Sequence, residues 1–132
     1  MQKRVLVVDD RPVMAEIITE IFDGSDVAVD KVHSGMEAIS FVKDNDIDVV
    51  ISDVMMPGMD GTGLFFQLKD INPFMQIIVM TAYPSVETIK EMIRSGATDF
   101  LLKPFEPEDL RRAVDDAFCR LSRWQILRQE CV

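Results

Sequence analysis

Residues 49–63 read VVISDVMMPGMDGTG. The run from Val49 to Ser52 has the composition of a strand buried on both faces, and it leads straight into an acid, Asp53. The chain then breaks into Met, Pro and Gly. Pro57 with Gly58, and Gly61 with Gly63, are turn formers that let the backbone curl around a small ligand. A carboxylate at the mouth of an apolar core needs a reason, and the flanking sequence supplies its surroundings.

Working outward, Val5 to Val8, Val27 to Val32, Gln76 to Met80 and Phe100 to Leu102 read as further short strands. Between them lie stripes of helical period: Met14, Ile17, Ile18 and Ile21; Ile89, Met92 and Ile93; Leu110, Ala113, Val114 and Ala117. These faces are expected to pack on a sheet. Gly24 and Gly96 stand where helices would end, and Ser34 and Pro107 where they would begin. Five βα units in a row predict a doubly wound α/β fold, a five-stranded parallel sheet with helices on both faces. At 132 residues the chain suits one such domain. Neither an internal repeat nor a linker is visible before residue 118, and CRLSRWQILRQECV after it could prolong the last helix.

Composition narrows the function. Hydrophobic residues make up 48% and charged ones 28%, as in ordinary globular chains. No apolar run approaches the ~18 residues of a membrane span. The N-terminus, MQKRVLVVDD, meets acids too soon for a signal peptide, so a cytoplasmic location is the default expectation. A formal charge of −9 argues against direct nucleic-acid binding, which depends on Lys and Arg contacts to phosphate. Cys119 and Cys131 on one helix would stand roughly 18 Å apart and could not bridge each other, which suits thiols of a reducing compartment.

In open parallel sheets, chemistry gathers at the carboxyl ends of the strands where strand order reverses. The first strand ends in Asp9 and Asp10, the third in Asp53, the fourth in Thr81 and the fifth in Lys103 with Pro104. Three converging acids raise one another's pKa unless a cation compensates them. An all-oxygen set suits Mg²⁺, with Mn²⁺ as a substitute, and such an ion commonly completes its shell with phosphate oxygen. Lys103 supplies a second positive charge and Thr81 a hydrogen-bond donor for a phosphoryl group. Asp53, on the central strand, is then the candidate nucleophile, forming an acyl phosphate that water later cleaves.

The segments VLVVDD, DVVISDVMMPGMDG, IIVMTAY and TDFLLKPF together resemble the receiver domain of bacterial two-component response regulators, with its flavodoxin-like (βα)5 fold. The resemblance covers about residues 3 to 120, leaving 121–132 as a helical extension or the start of a linker. It implies a phosphorylation-dependent signalling switch rather than an enzyme with a separate substrate. Asp53 would accept a phosphoryl group from a phosphohistidine on a histidine kinase or phosphotransfer protein. Asp10, Asp53 and the backbone carbonyl of Met55 would hold Mg²⁺, with Asp9 acting through water, and Lys103 would contact the phosphoryl oxygens. The Lys103–Pro104 bond is expected to be cis. Thr81 would move toward the new group and Phe100 would turn inward, altering an output face over residues 86–118 that meets an effector domain or target protein. Phe100 stands where the family often has tyrosine, so a hydroxyl-dependent contact is not expected. Met55 and Tyr83 are bulky and could obstruct attacking water, predicting a long-lived acyl phosphate.

Plainer readings remain for other residues. His33 is expected at the end of an edge strand away from the acids, and Phe100 could be core. Arg111, Arg112, Arg120, Arg123 and Arg128 read as a solvated helix face that could form salt bridges across a homodimer. An aspartyl phosphohydrolase would usually carry an acid at the place of Met55. A flavin mononucleotide binder would need a Ser, Thr or Gly loop where Asp9, Asp10 and Arg11 stand. No helix-turn-helix or ATPase output domain fits in residues 119–132, which leaves a stand-alone receiver acting through protein contacts or a piece of a longer regulator; the DVMMPGMDG loop resembles regulators with C-terminal effectors and the tail the start of a linker helix, so the expectation leans toward the piece.

Overall fold

A computed structural model describes residues 3–53, 61–82 and 85–130. Strands β1 (Lys3–Val8), β2 (Val27–Val32), β3 (Val49–Asp53), β4 (Gln76–Thr81) and β5 (Asp99–Leu102) alternate with helices α1 (Pro12–Ile21), α2 (Gly35–Asp44), α3 (Gly61–Ile71), α4 (Val86–Ser95) and α5 (Pro107–Glu130). The sheet is parallel throughout, in the order β2-β1-β3-β4-β5. Strand order reverses between β1 and β3, where Val8 pairs with Ser52, so the carboxyl ends of these two strands flank the crevice.

The apolar strand runs are explained by burial on both faces, because successive side chains point to opposite sides. Val5, Val7, Ile51, Ile78 and Met80 face α1 and α5, meeting Ile18, Leu110 and Val114. Leu6, Val8, Val50, Ile77 and Val79 face α2, α3 and α4, meeting Val42, Phe65 and Met92. The sheet therefore separates two cores, and every position of β3 and β4 is buried.

Local signals set the helix ends. Ser34 caps α2 by accepting from the Glu37 N–H at 3.1 Å, while Glu37 accepts from the His33 N–H at 2.8 Å, satisfying two donors at one terminus. Ser85 caps α4 in the same way, and Gly96 closes that helix in the left-handed conformation, φ 106°. Pro107 opens α5. Helix α5 continues for 24 residues, with Leu121 buried and the Trp124 ring 6.5 Å from that of Phe74.

Several expectations need correction. Gly61 and Gly63 fall in the first turn of α3 rather than in a loop. In α1 Ile18 is buried and Met14 and Ile21 pack against the core as expected, with Ala15 and Phe22, just past the helix, also buried, whereas Ile17 is exposed. In α4 only Met92 and Ser95 are buried, and Ile89 and Ile93 face outward. Arg120 is not simply solvated: its Nε donates to Oε1 of the buried Gln76 at 2.9 Å. Among the described residues, no helix is long and apolar enough to cross a membrane.

Candidate functional site

Asp53 is the last residue of β3 and is 5% exposed. An ionised carboxylate so placed requires cationic or hydrogen-bonding neighbours. Lys103 provides one, with Nζ 2.8 Å from Asp53 Oδ2. Its position follows from the sheet, since the Lys103 N–H extends the β4–β5 pairing by donating to the Thr81 carbonyl at 2.8 Å. The next peptide bond, Lys103–Pro104, is cis.

Asp9 follows β1, the neighbour of β3, and is fully buried. Its Oδ1 accepts from the Arg11 N–H at 2.9 Å, while its buried Oδ2 has no hydrogen-bond partner among the described residues. Burial pushes the Asp9 carboxyl above the usual carboxylate range; the Arg11 N–H opposes this, and the charge of Asp53 adds to it. Asp10, by contrast, is exposed. Asp9 and Asp53 are thus the two buried acids of the site, and among the described residues no three His, Cys, Asp or Glu side chains form a ligand cluster.

Arg11 is the functional-site residue that sequence reasoning missed. One guanidinium nitrogen donates to Asp53 Oδ2 at 3.0 Å, and Nε lies 3.6 Å from Asp9 Oδ1. Two acids thus face two cations, Arg11 and Lys103. The signal in the sequence is a cation two residues beyond Asp9, the acid that follows the first strand. His33 also lies nearer the acids than expected, its exposed ring placing Nδ1 3.3 Å from the Asp9 carbonyl oxygen.

Thr81 is buried at the end of β4. Phe100 is 63% exposed, which corrects its reading as a core residue: it sits on β5, the edge strand next to β4. Between them opens a largely apolar cavity of about 560 Å³, lined also by Val79, Ile89, Met92 and Leu102. Met55 and Tyr83 lie outside the described residues.

The residues present fit a divalent cation. An orphaned, buried carboxylate oxygen on Asp9 beside a second buried carboxylate is an all-oxygen donor set of net negative charge, suited to a hard ion.

Comparison with known proteins agrees with this geometry. The family model described as response regulator receiver domain matches residues 5–115. The transcriptional regulatory protein ZraR of Escherichia coli is 35% identical over 113 residues, covering 86% of this chain but 26% of the relative. The chain thus spans about a quarter of the length of such regulators. The chemotaxis protein CheY of Halobacterium salinarum is 31% identical over 116 residues, covering 88% of this chain and 97% of that one. The solved structure of chemotaxis protein CheY4 from Vibrio cholerae superposes with a TM-score of 0.82 at 29% identity, covering 89% of this chain and 99% of that chain. With its parallel 2-1-3-4-5 sheet, its acids at the β1–β3 crevice and a family match over most of its length, the chain belongs to the response regulator receiver domain family of two-component signalling systems.

Proposed function

We propose that this chain is a phosphorylation-dependent switch whose phosphoacceptor is Asp53. The observation that carries the reading is the pairing of buried Asp53 with Lys103 at 2.8 Å, beside an Asp9 carboxylate oxygen that has no hydrogen-bond partner among the described residues. A carboxylate oxygen of Asp53 attacks the phosphorus of a phosphohistidine on a histidine kinase or phosphotransfer protein. The P–N bond breaks, the electron pair stays on the imidazole nitrogen, and an acyl phosphate forms. Asp10, Asp53 and the Met55 carbonyl would hold Mg²⁺, with Asp9 acting through water; the ion would neutralise charge on the phosphoryl oxygens. Lys103 would exchange its bond to Asp53 for one to a phosphoryl oxygen. The chain turns over no separate substrate, and its own acyl phosphate returns to carboxylate when water attacks phosphorus.

The switch is a population shift between two arrangements. Thr81 bonds the phosphoryl group, and Phe100 turns from solvent into the apolar cavity beside Thr81, whose lining it already shares. Both movements alter the face formed by α4, β5 and the first half of α5, residues 86–118, through which an effector domain or target protein would be controlled. Residues 3–120 would make up the receiver and 121–132 the extension. Met55 and Tyr83 would slow hydrolysis by obstructing water, so Met55→Asn combined with Tyr83→Glu is expected to speed acyl-phosphate decay; an unchanged rate rules that role out.

Intact mass before and after incubation with acetyl phosphate and Mg²⁺ tests the core of the proposal. One added phosphoryl group is expected, and none in Asp53→Ala. An adduct of equal yield in the variant would place the acceptor elsewhere.

A further inference from the structure

We propose that Arg11 is a tethered counter-ion that competes with the divalent cation for Asp9 and Asp53, and so sets the cation concentration at which the site loads. This rests on the phosphoacceptor reading above. The guanidinium reaches both acids, at 3.0 Å from Asp53 Oδ2 and 3.6 Å from Asp9 Oδ1, while the Arg11 N–H holds Asp9 Oδ1 at 2.9 Å. Asp53 Oδ2 therefore accepts from two cations at once, Arg11 and Lys103. A carboxylate oxygen has two lone pairs, so an ion or phosphorus approaching this oxygen must displace a donor. Lys103 is the costlier one to move, because its side chain is 13% exposed and its backbone belongs to the sheet edge. The Arg11 side chain is 57% exposed and can be rehydrated as it leaves.

The backbone around Arg11 favours the same role. Arg11 is the N-cap residue of α1, with extended φ −103° and ψ 112°, and its side chain makes no capping bond. Arginine has no acceptor with which to cap a helix, and Pro12 at the first helical position holds the local backbone. The side chain is thus left to the two acids. Such a competitor keeps the paired carboxylates compensated at low cation concentration and withdraws when a doubly charged ion offers more.

The test is Mn²⁺ binding at fixed ionic strength, followed by the electron paramagnetic resonance signal of the free ion. The full chain is compared with Arg11→Met, which keeps the stem and removes the charge, and with Arg11→Lys, which keeps the charge and removes the fork. Arg11→Met is expected to tighten Mn²⁺ binding by about tenfold or more, as loss of one adjacent charge at an effective dielectric near ~20 implies. Arg11→Lys is expected to fall between Arg11→Met and the parent. Equal or weaker binding by Arg11→Met, with saturable binding by the parent that Asp9→Asn abolishes, overturns the role of Arg11 and leaves the cation reading standing. No saturable binding by parent or variants overturns the cation reading and this inference with it.

Discussion

Asp9 is where burial and charge oppose each other most directly. Its carboxyl is fully enclosed, one oxygen has no hydrogen-bond partner among the described residues, and its pKa is raised, with burial the largest cause. A raised carboxyl pKa means that the native state holds a proton more tightly than the unfolded chain. The associated stability is present below the unfolded value near 3.8 and is lost as pH rises through the native value. Asp9→Asn is therefore expected to raise stability at neutral pH, read as a higher Tm than the parent's. The gain over the parent should grow as pH increases from about 4 and then level off; melting curves between about pH 4 and 8 without such a trend would contradict it. At this scale the sequence was legible wherever a reactive residue ended an apolar run, as at Asp9, Asp53, Thr81 and Lys103. It was not legible where direction mattered. Asp9 and Asp10 are adjacent letters with opposite burial, and the long Arg11 side chain can turn to solvent or to the acids from the same position in the chain.

Helix α4 shows the corresponding limit for an element. Ile89, Met92 and Ile93 keep helical period, yet only Met92 is buried, because periodicity marks an apolar face without saying what covers it. Met92→Ala is expected to cost about 2–3 kcal/mol and Ile93→Ala less than about 0.5 kcal/mol in denaturant unfolding. Similar costs for the two would mean that Ile93 is covered. The end of α4 is more constrained than its middle. A Cβ added at Gly96 would lie 3.0 Å from Lys69 Cε and Cγ, at a backbone φ of +106°. Gly24 has a similar φ of +78° but open space around it. Gly96→Ala should accordingly destabilise by about 1–2 kcal/mol and Gly24→Ala by roughly 1 kcal/mol. The stretch from helix end to turn was readable from glycine alone, but the Lys69 stem that separates these two glycines comes from α3 and is a tertiary fact.

For the whole molecule, the alternation of strands and helices was enough to predict a doubly wound parallel sheet, because strands buried on both faces leave few other solutions. The division of labour between the faces, with α1 and α5 on one side and α2, α3 and α4 on the other, follows from chain crossings that no single segment encodes. The proposed boundary at residue 120 is tested by ending the chain there. That truncation removes buried Leu121 and the Trp124–Phe74 contact but spares Leu110, Val114 and Ala117. A loss of about 2–3 kcal/mol, with one cooperative transition and an undiminished acetyl-phosphate adduct, is expected. Loss of the adduct would move the boundary. Helix α5 begins four residues after Lys103 and reaches the opposite ends of the central strands, where Leu121 shares a cavity wall with Ile47 and Phe74, just before β3 and β4. Its 24 residues make a rod of about 36 Å. It would act as a lever with its near end by the proposed phosphoacceptor: a tilt of about 5° there would carry the far end by about 3 Å, close to the width of an atom.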